Sequence, residues 1–345
     1  MPPDQTNAIL QAARERRAAD IHVVAGSPLM FRIGDELQPV SKETLDKRRS
    51  REIAYSLLTE EQIASFEQRR DLDIMYVDDD RNRYRVNISY NDGQVGAVIR
   101  LLARNPWPLQ DLHLPEVVNR LAMANKGLIL ITGSTSQGKT TTMASLIDTI
   151  NHQQRRHIVT IEDPVEYVHE SDKSIIRQRE VGRDTESFSS GLRAALRQDP
   201  DVIAIGEMRD LDTIQIALTA AETGVLVMST LHIISIDKIL ERMLSYAPPE
   251  GDGHLRYLLA DTLVAVIHQE LLPTTDGGKR VASEILVVTD AARNIVRKRG
   301  MFHLRNIIST GQRFGMRSMK TSLDELHESG QISEALYYRV LEDYR

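Results

Sequence analysis

Hydrophobic and polar positions follow two different rhythms along the chain. Over roughly the first hundred residues, short apolar runs at 21–25, 30–33, 83–90 and 96–102 are interleaved with helical periodicity at 42–58 and 60–69. That alternation predicts a small α+β unit. The opening stretch, 1–24, spaces its apolar and charged residues as an amphipathic helix would. Further on, continuous apolar runs at 128–132, 157–161, 202–206 and 226–230 alternate with amphipathic segments, which predicts a mainly parallel sheet with helical crossovers. Beyond Arg256, the segments 257–270, 291–299 and 333–342 read as helix and 281–288 as strand. The two rhythms meet at 104–109, where Pro106 and Pro108 flank the only tryptophan, Trp107. The expected division is therefore 1–104, a linker at 105–110, and 111–345.

Composition narrows the class. A chain of 345 residues exceeds one comfortable core, so two domains are expected. Hydrophobic residues at 41% and charged residues at 27% suit a folded soluble protein. A net charge of -6 gives no global attraction to nucleic acid or anionic lipid. The absence of cysteine excludes disulfides, thiolate zinc sites and a cysteine nucleophile, and suits a reducing compartment, so the cytoplasm is expected. No signal-peptide core appears, and no apolar run approaches the roughly 18 residues of a membrane span.

The strongest chemical signal is Gly133-Ser134-Thr135-Ser136-Gln137-Gly138-Lys139-Thr140, which matches G-x-x-x-x-G-K-[ST]. An apolar strand feeds into it, and Thr141 and the residues after it begin a helix, the context a phosphate-binding loop requires. Backbone N–H groups there can wrap phosphates, Lys139 can reach the β and γ oxygens, and the Thr140 hydroxyl can ligate Mg²⁺. A second signal is the strand at 202–206 delivering Glu207 at its end, where a carboxylate can hold hydrated Mg²⁺ or orient water. A third is the acidic segment 160–169, in which either Glu162 or Glu166 could polarise the attacking water.

In this order and spacing, the three segments resemble the Walker A, Asp box and Walker B of the secretion and pilus ATPases, and Thr230-Leu231-His232 resembles the His box that follows them. Ala19-Asp20-Ile21-His22, Arg85-Val86-Asn87, Gly206-Glu207-Met208-Arg209-Asp210-Leu211 and Ala291-Ala292-Arg293-Asn294-Ile295-Val296 look like the retraction branch, and the likeness spans nearly the whole chain. The resemblance implies an α/β protein with a PAS-like N-terminal α+β domain and a RecA-like P-loop ATPase domain. It implies a homohexamer that hydrolyses ATP with Mg²⁺ to drive type IV pilus retraction and twitching motility. The partners would be an inner-membrane platform protein and a paralogous pilus ATPase, with membrane association through partners at the inner face of the cytoplasmic membrane. By residue, it implies Lys139 and Thr140 at phosphate and Mg²⁺, Glu166 as catalytic carboxylate, Glu207 as the Walker B acid acting on the ion through water, and His232 as a γ-phosphate or neighbour sensor. Arg85 and Arg100 are the first-domain candidates for neutralising phosphate charge.

Two positions depart from the family pattern. Val225 stands where a first His is usual, and Ser136 where Gly is usual, so an altered or slowed cycle is expected. The chain also lacks the tetracysteine zinc module and longer N-terminal region of the assembly ATPases, which favours retraction. The alternatives are an accessory or regulatory paralogue, supported by Val225 and Ser136, and a nucleic-acid translocase, opposed by the acidic balance and the missing basic, aromatic-interleaved stripe.

Overall fold

The computed structural model describes residues 3–34, 36–102, 105–233, 235–246, 252–298 and 300–344. The chain forms two compact units, Met1–Arg104 and Asn105–Arg345. Arg104, the expected boundary residue, lies outside the described residues.

In the first unit the strands are β1 Asp20–Val23, β2 Pro28–Ile33, β3 Glu36–Thr44, β4 Asp71–Val77, β5 Arg83–Asn91 and β6 Gln94–Leu101. They pair in the order β3-β2-β1-β6-β5-β4, antiparallel throughout. Alternation along β5 buries Tyr84, Val86 and Ile88 against a core that holds Leu10 of helix Pro3–Glu15, Ile53 of helix Lys47–Tyr55 and Phe66 of helix Glu60–Arg69. The helix expected at 42–58 is shorter than its periodicity suggests, because β3 occupies 36–44 and the Asp46 side chain caps the helix by accepting from Arg49 N. A side-chain oxygen at that position stops the helix from extending upstream. Register places Arg85 opposite Arg100, and Arg100 and Arg32 on either side of Asp20. The four side chains therefore form one row across the sheet.

The second unit carries β7 Gly127–Thr132, β8 His157–Glu162, β9 Ile175–Glu180, β10 Val202–Glu207, β11 Leu226–Leu231, β12 Leu263–Pro273 and β13 Lys279–Val287. Their order is β13-β12-β7-β11-β10-β8-β9, parallel except for β13. Helices cover both faces, which is why these strands read as unbroken apolar runs. Along β7, Leu128 and Leu130 join the core containing Ile214, Leu218 and Leu259. Ile129 and Ile131 join the opposite core with Met143, Leu146 and Ile150. Each such side chain contributes roughly 1.5–3 kcal/mol.

One expectation is overturned here. Of the segment 257–270, only the part up to Thr262 is helical, as the end of Asp252–Thr262, and β12 begins at the next residue. The expected helix at 291–299 is present as Asp290–Arg297, its last residue lying outside the described ones. Strands β3, β4 and β9 add to the expected set.

Candidate nucleotide site

A parallel sheet gathers its strand ends on one edge, so the residues following β7, β8, β10 and β11 converge there. The loop after β7 opens at Gly133 with φ 147° and reaches Gly138 at φ 79°. Both values lie in the region that glycine adopts without a Cβ penalty. Ser136, at φ 64°, holds the left-handed conformation with a side chain, at a cost of about 1 kcal/mol. Helix Lys139–Gln153 follows directly, so its unpaired N–H groups and positive dipole end face the loop.

Lys139 is buried, and its Nζ donates to the Ser134 carbonyl at 2.5 Å and lies 3.3 Å from His232 Nδ1. His232 Nε2 is in turn 3.6 Å from Glu207 Oε2, and Glu207 Oε1 pairs with Arg209 at 2.6 Å. Burial pulls the Lys139 ammonium down to about 8, against the opposing charges of Glu207 and Glu166. Burial first, then the Lys139 charge, holds His232 below the usual histidine range despite Glu207. A neutral His232 can accept at Nδ1 from Lys139. Glu207 Oε2 is buried without a hydrogen-bond partner among the described residues. A register shift after Ile205 sets Glu207 opposite Thr230, and such an irregularity re-aims a side chain at the sheet edge. A cavity of about 210 Å³ opens beside Glu207, Arg209 and His232.

The acidic segment after β8 is fastened from both sides. The Tyr167 hydroxyl is 2.9 Å from Thr141 Oγ1 in the first turn of the loop helix. Gln178 of β9 donates to the Tyr167 carbonyl at 2.8 Å and to Glu162 Oε1 at 3.1 Å, and accepts from His169 N at 2.8 Å. The two candidate acids thus separate by environment. Glu162 is buried, accepts from Thr160 Oγ1 at 2.6 Å, and has its carboxyl pushed up chiefly by burial. Glu166 is half-buried, and its charge acts on Lys139.

The structure thus brings Gly133 through Thr141, Glu166, Glu207 and His232 to one strand-end edge. Arg85 and Arg100 belong to the first unit, where Arg100 Nε donates to Asp20 Oδ1 at 2.8 Å and Arg32 lies 3.6 Å from Asp20 Oδ2. Val225 stands elsewhere. It immediately precedes β11, and its carbonyl accepts from Gly127 N, so it occupies the end of the strand away from the loop, about 20 Å distant at ~3.3 Å per residue.

Two participants escape sequence reasoning. Arg209 belongs to a string that resembles the retraction branch, but its residue type alone assigns it no task. Gln269, fully buried on β12, accepts from Thr142 Oγ1 at 2.9 Å and donates to the Gln137 carbonyl at 2.7 Å, and Leu271 N donates back to Gln137 Oε1. The helical reading of 257–270 conceals it, and alternation within 263–273 is the signal available.

Residues 3–333 match the family described as Type II/IV secretion system protein. The chain belongs to that family. Like the secretion and pilus ATPases it matches, it combines an N-terminal domain with a RecA-like ATPase domain. Among similar proteins, the type IV pilus retraction ATPase PilT of Pseudomonas aeruginosa is 38% identical over 94% of both chains. A twitching motility protein of Neisseria gonorrhoeae is 39% identical over 88% of this chain and 82% of its own. The crystal structure of the pilus retraction motor PilT with bound ADP superposes with a TM-score of 0.87 at 39% identity, covering 95% of this chain and 94% of that one. Among the described residues, no helix is long and apolar enough to cross a membrane.

Proposed function

We propose that this chain is the subunit of a homohexameric motor that hydrolyses ATP to retract type IV pili, acting at the inner face of the cytoplasmic membrane through a platform protein. The observation that carries the reading is the convergence of Lys139, His232 and Glu207 on a phosphate-type loop, in a chain so similar to a retraction ATPase over nearly its full length.

Each residue has a task that its surroundings support. The loop N–H groups and Lys139 hold the phosphates; Lys139, already short of solvent, exchanges its Ser134 and His232 contacts for phosphate oxygens. Glu166 is the better candidate for polarising water, since Glu162 is enclosed and spends its oxygen on Thr160 and Gln178. His232, set between Lys139 and Glu207, reports occupancy by losing its Lys139 hydrogen bond when Lys139 moves to phosphate. The residues present fit Mg²⁺: a buried oxygen of Glu207 with no hydrogen-bond partner among the described residues and the Thr140 hydroxyl, adjacent to Lys139, would hold it, Glu207 through water. The ion, when bound, supplies positive charge to the phosphate oxygens. Arg85 and Arg100 would neutralise phosphate charge. Supporting that role, the row they share with Arg32 sets three guanidinium groups against the single carboxylate of Asp20.

Glu166→Gln and Glu207→Gln are each expected to remove most turnover while sparing nucleotide binding, whereas Glu162→Gln keeps most of it. Near-native hydrolysis by either of the first two would remove that residue from its role. Expression in cells lacking their own retraction ATPase is expected to restore twitching. A hydrolytically competent protein that leaves such cells immobile would overturn the assignment to retraction.

A further inference from the structure

Beside the phosphate loop, β12 presents three consecutive polar residues to two different audiences, as strand geometry requires. Gln269 faces the loop and its helix through Gln137 and Thr142. Its neighbours His268 and Glu270 face the other way. There, Thr132 Oγ1 lies 3.1 Å from His268 Nδ1, His268 Nε2 lies 2.8 Å from the Tyr344 hydroxyl, and that hydroxyl donates to Glu270 Oε1 at 2.5 Å. With Tyr344 donating to Glu270, its oxygen is left to accept from His268 Nε2–H, which leaves Nδ1 to accept from the Thr132 hydroxyl. The chain runs in one direction, and every member is satisfied. His268 is fully buried, and burial draws it down to about 4, so the neutral tautomer this pattern needs is the one present near neutral pH.

Thr132 is the residue before Gly133, the first of the phosphate loop. Tyr344 follows helix Glu334–Glu342, which packs through Leu336, Val340 and Leu341 against Leu272 of β12 and Leu323 of helix Met319–Glu328. A distant part of the sequence is thus tied by side-chain hydrogen bonds to the mouth of the loop. We infer that Tyr344 is a positioning residue for nucleotide binding: seated between His268 and Glu270, it fixes β12, and through β12 the register of Gln269 on the phosphate loop. Undocking of helix Glu334–Glu342 would then loosen the grip on nucleotide without any change in the residues that touch it. The inference rests on the loop being a nucleotide phosphate site.

Tyr344→Phe deletes one oxygen and leaves His268 Nε2–H and Glu270 buried without that partner, in a place where unmet hydrogen bonds are costly. The control is Tyr337→Phe, which removes a hydroxyl from helix Glu334–Glu342 itself, the one donating to Asp324 at 2.7 Å, away from β12. Titration of the full chain with a fluorescent ADP analogue, beside thermal unfolding, is expected to show binding weakened about fivefold by Tyr344→Phe and unchanged by Tyr337→Phe. Thr132→Val, which cuts the chain at its other end, is expected to match Tyr344→Phe. Native affinity in both Tyr344→Phe and Thr132→Val overturns the inference, as does equal weakening by Tyr337→Phe, which would trace the effect to helix docking alone. An unaltered chain that binds no ADP at all would instead bring down the reading of the loop itself.

Discussion

Replacing Gly133 by alanine tests the junction between the phosphate loop and β12. A Cβ built there falls 2.4 Å from the Gln269 carbonyl oxygen, well inside the ~3.5 Å of an ordinary contact, so one backbone must retreat by about 1 Å. Retreat of β12 disturbs the Gln269 bonds to Gln137 and Thr142, each contributing about 1 kcal/mol. The φ of 147° adds about 1 kcal/mol or more for a residue with a side chain. Together these put the expected loss near 3 kcal/mol, on the order of other core-clash substitutions, with weakened nucleotide binding. Gly182 provides the comparison: it is also at positive φ, but a Cβ there would meet nothing within 4 Å. Gly182→Ala therefore carries only the conformational cost of about 1 kcal/mol. Chemical denaturation of the nucleotide-free protein, followed by circular dichroism and paired with an ADP titration, measures both. Equal losses for the two variants, with native affinity for Gly133→Ala, would refute the proposed dependence of the loop on β12.

The pH dependence of binding follows from Lys139. In the nucleotide-free protein its ammonium lies near 8, and phosphate charge raises it on binding. Affinity is therefore flat with respect to this group below about pH 8 and falls by up to about tenfold per unit above it; a titration series in which the native chain and Lys139→Ala lose affinity in parallel would contradict this. Val225→His is expected to leave nucleotide affinity unchanged, because the position lies at the far end of β11; a several-fold change in the same titration would count against that placement.

The legibility of this protein follows the range of its interactions. Strand, loop and helix around Lys139 are readable because the strand is enclosed on both faces and the loop chemistry is local. Glu207 is readable for the same reason, as the terminus of an apolar run. Strand β12 is not, because helix Asp252–Thr262 passes into it with no glycine or proline between Gly253 and Pro273. Strand β9, with Arg177, Gln178, Arg179 and Glu180 on a sheet edge, offers too little apolar contrast to register as a strand. Arg209 and Gln269 gain meaning only from partners that folding brings to them. The choice between Glu162 and Glu166 rests on burial, and both acids occupy the same short segment of sequence. Ser136 is legible as a constrained backbone position, whereas the importance attached to Val225 comes from pattern alone, without the strand that carries it away from the loop.

The most direct test of the central claim is steady-state ATP hydrolysis by the purified chain with Mg²⁺, fractionated by oligomeric state, beside Lys139→Ala. Hydrolysis confined to the hexamer fraction and lost in the variant is the predicted result. ATP binding without turnover in every fraction, or turnover that survives Lys139→Ala, would contradict it.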